Sequence, residues 1–451
     1  MYPDNKYVVS FDLMYAAIQL KKLDDALAVG EEYLEAFPGN DKMLTRMGIA
    51  LMEADCFKDA EVKLQEAEDV SKYDIETESA YAALLEIQNR NREALERWAR
   101  AIEANPMALP LRFYAGMTLL RCATTRDEFL EGFHNYDARL AFANTCPKNG
   151  KRIWRGPNES HPTPEQLEAA KMETQGKRLA VYAEQGLGDN IMAFRFLLSP
   201  SLHKAFGFAE VHFVFDDSKS SPNQFDVYQE MADQSGLPNL KIHRASEFSE
   251  EYDFHTLILN LMRVAYLYGD PTAIEPKFWN GPYIPKPNQS DAIDGVVVKV
   301  GICYQGGRMH VNDRRRSIAP AYIADFIRNL KENCDVIFEF HILQGEPPTQ
   351  ELLDLGVIHT PMPNLMDFKN GIGKMDLVVT VDTSTAHIAG AMGIRTILLA
   401  AKGADWRWKE DGEYSYWYGD TFLIKRQFIA GQWDVTLADL AFDFKNAEFV
   451  E

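Results

Sequence analysis

The chain has 451 residues, of which 46% are hydrophobic and 12% aromatic, and it carries a formal net charge of −20. This length accommodates two or three domains with large cores, and the composition excludes a disordered chain. The acidic balance argues against a protein that coats nucleic acids through a broad basic face, although it leaves room for a local basic cleft.

The sequence also argues against a membrane-spanning or secreted protein. It has no apolar run near the ~20 residues that span a bilayer, and its N-terminus shows no secretory signal. The five cysteines form no Cys-x-x-Cys pair, which argues against a zinc site and a disulfide framework. We therefore expect a cytoplasmic protein without a membrane span.

The first third of the chain contains a repeat of 34 residues. Ala26, Ala60 and Ala94 follow one another at this spacing, and Pro38 and Pro106 lie two periods apart. Paired helices need small residues where they cross and a break before the next pair. The pattern matches tetratricopeptide repeats at these positions and predicts a helical array over 1–144.

The array has two interpretations. It offers a concave surface to a partner, or it forms a collar that only packs on the rest of the chain. Acidic residues outnumber basic ones in 1–125, which favours a polypeptide or a neighbouring subunit, including a homo-oligomer, over a phosphate backbone. Residues 145–176, rich in Pro, Gly and polar residues in their first part, are predicted to be a linker.

Beyond the linker, short apolar strands alternate with helices. This alternation is typical of parallel sheets. It predicts two Rossmann-like α/β domains, over 177–285 and 286–451, that face each other across a cleft. The predicted strands are 179–183, 209–215, 239–245 and 255–261 in the first domain, and 295–306, 336–343, 377–381 and 396–400 in the second.

The first candidate site is the glycine loop after the first of these strands. Gly186 and Gly188 allow a ligand to approach the backbone closely. The third glycine of a dinucleotide fingerprint is missing, which argues against an NAD enzyme. Asp189 follows at the start of a helix, where its carboxylate either faces the cleft or caps the helix.

The second candidate site, 304–317, follows the first strand of the second domain. Gly306 and Gly307 free the backbone, and basic residues crowd behind them. Guanidinium groups match phosphate oxygens bidentately, so phosphate binding is the interpretation favoured over a solvated charged surface. The basic residues are Arg308, His310, Arg314, Arg315 and Arg316.

The third candidate site lies between the strands at 377–381 and 396–400. The string Asp382, Thr383, Ser384 and Thr385 precedes a helix that contains His387. A helix N-terminus at the carboxyl end of a parallel strand presents free N–H groups and a positive dipole end to phosphate. The alternatives are that the string only caps the helix and that His387 only packs.

These three sites together suggest transfer from a nucleotide-diphosphate donor. The sequence shows no Walker lysine motif, metal triad or Gly-x-Ser-x-Gly elbow. Arginines and helix N–H groups would stabilise the leaving diphosphate in place of a metal ion.

The motifs EQGLGDNIMAFRFL, GGRMHVNDRRRS and VDTSTAHIAGAMG resemble, in this order, those of the heptosyltransferase-like GT-B glycosyltransferases. The resemblance is closer to the subgroup in which tetratricopeptide repeats precede that domain. It implies an α-helical array followed by a GT-B pair of Rossmann-like domains. It also implies an inverting enzyme that uses a nucleotide-diphosphate sugar. From the motifs and the repeats we expect this enzyme to be metal-independent, to require no cofactor and to act on a large acceptor.

The resemblance further implies roles for single residues. Asp189 becomes the general base that deprotonates the acceptor hydroxyl. Arg315 or Arg316 binds the donor phosphate, and Asp382, Thr383 and His387, with the N–H groups of 383–386, hold the diphosphate. Gln344, at a strand end, becomes a nucleoside contact.

Two other functions stay open. A viral glycosyltransferase of hydroxymethylated DNA bases would use a basic rim around Arg152, Arg155 and 314–316. A non-catalytic scaffold would combine the repeats with a decayed transferase domain. The joint presence of all three sites favours activity, and the acidic repeats favour a protein or glycan acceptor over DNA.

Overall fold

The computed structural model describes residues 9–142, 151–159, 161–217, 223–287, 297–307 and 312–445. The chain divides into two compact units. The first comprises Met1–Ala123, Asn135–Ala141 and Lys402–Glu410, and the second comprises Thr124–His134, Phe142–Ala401 and Asp411–Glu451. Among the described residues we find no helix with the length and apolar content needed to cross a bilayer.

The first unit is an array of paired helices, which confirms the predicted helical repeats. Ala26, Ala60 and Ala94 are fully buried where the paired helices cross, as their spacing predicts. Asn40 and Asp74 start the second and third pairs, since their side chains accept the N–H groups of the third residue beyond. The helices are α1 (Ser10–Gln19), α2 (Leu23–Ala36), α3 (Asp41–Glu53), α4 (Phe57–Val70), α5 (Ile75–Ile87), α6 (Asn91–Ala104) and α7 (Leu109–Cys122).

The first unit also contains a segment from far along the chain, Lys402–Glu410. The Glu410 carboxylate accepts a hydrogen bond from the Asn91 side-chain amide at 2.7 Å, and the Glu410 carbonyl accepts one from Asn89 at 3.0 Å. Gly403 has a φ of +68°, and its Cα lies close to the Glu86 carbonyl, since a Cβ added to it would stand 2.5 Å from that oxygen. The sequence-based prediction placed this segment in the second Rossmann-like domain, over 286–451. No local pattern marks its place in the first unit, because its partners are more than 300 residues away.

The second unit contains a five-stranded, all-parallel sheet in the order β1-β5-β2-β3-β4. Its strands are β1 (Arg152–Ile153), β2 (Arg178–Tyr182), β3 (Glu210–Phe215), β4 (Leu240–Arg244) and β5 (Phe254–Leu257). The helices that accompany them are α8 (Arg126–Tyr136), α9 (Pro164–Thr174), α10 (Leu187–Leu197), α11 (Pro200–Phe206), α12 (Gln224–Ser235) and α13 (Asn260–Leu267).

A second sheet of seven strands follows in the order β11-β12-β10-β9-β6-β7-β8, with only β11 antiparallel. Its strands are β6 (Val297–Cys303), β7 (Ile337–Ile342), β8 (Ile358–His359), β9 (Leu377–Val381), β10 (Arg395–Ala400), β11 (Tyr414–Ser415) and β12 (Gly419–Arg426). Its helices are α14 (Asp313–Arg316), α15 (Pro320–Asn333), α16 (Gln350–Asp354), α17 (Leu365–Ile372), α18 (Ser384–Ala391) and α19 (Asp434–Lys445). Two parallel Rossmann-like sheets after a helical array are the predicted fold class, which is confirmed.

Two local predictions need correction. The linker contains α9, which Thr163 and Gln166 start with a capping box, and its Arg152–Ile153 segment pairs with β5. The strand predicted over 255–261 ends at Leu257, because the chain turns there into α13 and the Glu184 carboxylate accepts the N–H of Leu259. Part of the linker, 145–150 and 160, lies outside the described residues.

Candidate active site

The glycine loop is a rigid turn between β2 and α10. The Asp189 carboxylate accepts the Gly186 N–H at 2.9 Å, and the Asn190 side chain bonds both Glu184 N–H and Gly186 C=O at 3.0 Å. Asp189 therefore caps the helix, which is one of the two roles that the sequence suggested for it. Asp189 is nonetheless only half-buried.

The start of α10 touches the start of α18, one helix from each Rossmann-like sheet. A Cβ on Gly188 would lie 2.6 Å from the His387 ring and 3.3 Å from the Ser384 Cα. Both helices begin at the carboxyl ends of parallel strands, β2 and β9, so their N-termini converge there. The structure thus brings the first and third candidate sites together.

His387 is buried at this contact. It is 4% exposed, and its Nδ1 lies 2.8 Å from the Tyr418 hydroxyl. Burial raises the pKa of Tyr418 well above its usual value, so this hydroxyl stays protonated. His387 does not line the cavity described below, and its predicted contact with the donor stays a prediction.

The N-terminus of α18 is open to a ligand at its first residue. Thr383 is the N-cap in extended conformation, and its side chain makes no capping hydrogen bond. Its hydroxyl lies instead near the Thr380 hydroxyl and the Cys303 thiol, at 3.4 Å and 3.7 Å. Thr383 therefore does not cap the helix through its side chain, so the interpretation that this residue only caps is weakened.

Arg316 holds two loops of the site together. Its guanidinium donates to the Asp382 carbonyl at 2.7 Å and lies 3.4 Å from the Asp313 carboxylate. A Cβ on Gly306 would lie 2.5 Å from this guanidinium, so the glycine leaves room for it. Arg316 therefore ties the loop after β6 to the loop before α18.

The other two arginines differ from this arrangement. Arg314 is exposed and Arg315 is buried, and neither lines the cavity. Their predicted contact with phosphate stays a prediction. Arg308 and His310 lie outside the described residues.

A cavity of about 500 Å³ opens between these loops at the carboxyl edge of the second sheet. The Gln344 side chain is buried at its wall, where it accepts the Tyr304 N–H at 3.3 Å and donates to Gln305 at 3.1 Å. The predicted residues that line the cavity are Gly306, Gly307, Gln344, Thr383, Ser384 and Thr385.

Sequence reasoning missed several residues of this wall. Gln305 and Ser317 lie inside the second candidate site, and Glu346 follows Gln344 by two residues, so all three are close in sequence to residues that were predicted. Phe368 comes from α17, and only the tertiary fold brings it to the cavity.

The electrostatics of the cavity favour the backbone as the anion binder. Its lining among the described residues includes the carboxylates of Asp313 and Glu346 and no lysine or arginine side chain. Stabilisation of a diphosphate would therefore depend on the N–H groups and dipole of α18 and on the Gly306-Gly307 turn. Within the described residues, no group of three or more His, Cys, Asp and Glu side chains forms a metal site.

No protein-family model matches the chain, and no curated protein matches it. Several solved structures are similar. An O-GlcNAc transferase variant from Thermobaculum terrenum is 13% identical over 98% of this chain and 89% of its own, with a TM-score of 0.32. The glycosyl transferase family 9 structure from Veillonella parvula is 10% identical over 62% of this chain and 92% of its own, with a TM-score of 0.36.

A third structure, MamA MSR-1, is 17% identical over 31% of this chain and 77% of its own, with a TM-score of 0.26. At such scores these likenesses are remote, and the geometry of the site carries the functional interpretation. A helical repeat array followed by two Rossmann-like domains is the architecture expected from the sequence, and a cavity opens at the N-terminus of α18.

Proposed function

We propose that the chain is an inverting, metal-independent glycosyltransferase that moves a sugar from a nucleotide-diphosphate sugar to a hydroxyl of a large acceptor, a protein or a glycan. The observation that supports this most is the α18 N-terminus at the cavity, beside the Gly306-Gly307 turn and against the glycine loop of the first sheet. A helix N-terminus beside a glycine turn suits a diphosphate.

In the proposed reaction the acceptor oxygen attacks the anomeric carbon of the sugar. The acceptor proton passes to the Asp189 carboxylate, which the Gly186 N–H holds in place. The bond between the anomeric carbon and the diphosphate oxygen breaks, and its electron pair stays on the diphosphate. A single displacement of this kind inverts the configuration of the anomeric carbon.

The leaving charge develops at the α18 N-terminus. Preorganised N–H donors are worth most where charge forms in the transition state and water is excluded. Arg316 contributes indirectly, because its hydrogen bond to the Asp382 carbonyl fixes the backbone that precedes the helix.

The DNA-glycosylating alternative gains no support from the arginine rim. Arg152 is paired with Glu173, which neutralises one of the cations that such a rim would offer to phosphates. The scaffold alternative differs from the proposal in the expected binding of the donor, since a decayed site has no need to bind one.

The proposal is tested by thermal shift with UDP, GDP, ADP and CDP, followed by donor hydrolysis across a panel of nucleotide sugars. We expect one nucleotide to raise the melting temperature and one matching sugar donor to be hydrolysed. Asp189→Ala should abolish transfer and leave nucleotide affinity nearly intact. Absence of any nucleotide effect would favour the scaffold, and a large loss of affinity in Asp189→Ala would contradict its role as base.

A further inference from the structure

Lys369 is a buried lysine at a contact between the two Rossmann-like domains. It lies on α17 of the second domain and is 2% exposed. Its ammonium forms a close ion pair with Glu230, on α12 of the first domain. Lysine is almost never fully buried unless its charge is paired, so the ion pair is a condition of this burial.

The ion pair lies next to a residue that lines the candidate donor cavity. Phe368, one residue before it on α17, lines the candidate donor cavity, while α12 is the part of the first domain that packs on this helix. Another contact between the domains joins α10 and α18, at the glycine loop and the third candidate site. The ion pair therefore lies one residue away from a wall of the cavity, on the helix that supplies this wall.

We propose that Glu230 is a positioning residue: its ion pair with Lys369 keeps that lysine buried, and so keeps α17, with Phe368, against the donor cavity. This rests on the proposed function only in naming the cavity's ligand as a nucleotide diphosphate. Neither member of the pair lines the cavity, so the pair acts through Phe368 and not by contact with the donor.

Removing the carboxylate and removing the ammonium should have unequal effects, and this difference provides the test. Removal of the Glu230 carboxylate leaves an ammonium that is buried without its partner, which is strongly unfavourable, so α17 should shift to hydrate it. Replacement of the lysine by methionine removes the charge and keeps an unbranched apolar side chain of similar length, and buried ion pairs tolerate such apolar replacement.

The experiment compares Glu230→Ala, Lys369→Met and the double variant in the full chain. Hydrogen exchange of the 365–372 amides is measured without nucleotide, and the affinity for UDP, GDP, ADP and CDP is measured separately. We expect Glu230→Ala to speed exchange about tenfold and to weaken nucleotide binding by several-fold. Lys369→Met and the double variant should both resemble the wild type, with the β9 and β10 amides as the control for global folding.

Unchanged exchange in Glu230→Ala, or a double variant that behaves like Glu230→Ala alone, would overturn the proposal. Faster exchange with unchanged nucleotide affinity would overturn the link to the cavity. If no nucleotide binds the wild type, the function proposed above fails, and the exchange measurement still decides whether the ion pair positions α17.

Discussion

At the residue scale, the site depends on glycines that leave space for a neighbour. Gly188 admits the His387 ring, and Gly306 admits the Arg316 guanidinium. In both places the glycine allows two segments from different parts of the sequence to pack closely against each other. Gly307, by contrast, has open space where a Cβ would stand.

Gly188→Ala should separate the two helix N-termini, because its Cβ would lie 2.6 Å from His387 and 3.3 Å from the Ser384 backbone. Overpacking of this kind costs about 1–3 kcal/mol of unfolding free energy. We expect a lower melting temperature and weaker nucleotide binding. Gly307→Ala is the matched control for stability and should melt near the wild type; equal melting of both variants would contradict the packing account.

Arg316→Gln should weaken nucleotide binding, because it removes the donor that holds the Asp382 carbonyl. Hydrogen bonds from a charged group contribute about 1.5–3 kcal/mol, so a loss of tenfold or more is expected in a titration with the nucleotide that shifts the melting temperature. Arg314→Gln, at an exposed side chain that does not line the cavity, is the comparison. If Arg314→Gln has the larger effect, the direct phosphate contact predicted from the sequence replaces the positioning role.

At the element scale, the strand-turn-helix units were predictable and their partners were not. The apolar run ending at Val381 and the polar string after it are local signals, so β9 and the next helix follow from them, although α18 begins inside the string, at Ser384. The Lys369–Glu230 and His387–Tyr418 contacts join distant segments, and no local pattern marks them. The hydrogen bond from Arg316 to the Asp382 carbonyl likewise joins distant segments.

Gly403→Ala tests the element formed by Lys402–Glu410 in the first unit. Gly403 combines a φ of +68° with a Cβ position 2.5 Å from the Glu86 carbonyl, so alanine would be both strained and obstructed. Gly412→Ala shares the positive φ, +81°, with open space around it. Thermal denaturation should show Gly403→Ala as clearly less stable; equal destabilisation would mean that backbone strain alone matters.

At the scale of the whole molecule, fold class follows from composition and periodicity because repeats and alternating strands recur over long stretches. The insertion of Lys402–Glu410 into the helical unit does not follow from them, since its partners Asn89 and Asn91 carry no signal of pairing with a distant segment. The second unit also contains four histidines whose pKa is lowered by burial, and no sequence pattern identified them.

The pH dependence of stability follows from these histidines. Burial lowers the pKa of His203, His212, His243 and His255 from the usual value of about 6.5, with the neighbouring His243 adding to the effect at His212. The unfolded chain then binds more protons than the folded one below pH ~6.5. Stability is therefore present above this pH and is lost as the pH falls below it.

Denaturant unfolding between pH 5 and pH 8 measures this effect. The free energy of unfolding should be nearly constant above pH 7 and should fall between pH 6.5 and pH 5, before the carboxylates with lowered pKa begin to titrate. A free energy that stays constant down to pH 5 would contradict the contribution of the buried histidines.

A crystal structure with the nucleoside diphosphate that raises the melting temperature tests the central claim most directly. The account predicts diphosphate oxygens within hydrogen-bonding distance of the N–H groups at the start of α18 and at the Gly306-Gly307 turn, with the Asp189 carboxylate facing the same cleft. A diphosphate bound away from the α18 N-terminus would contradict it.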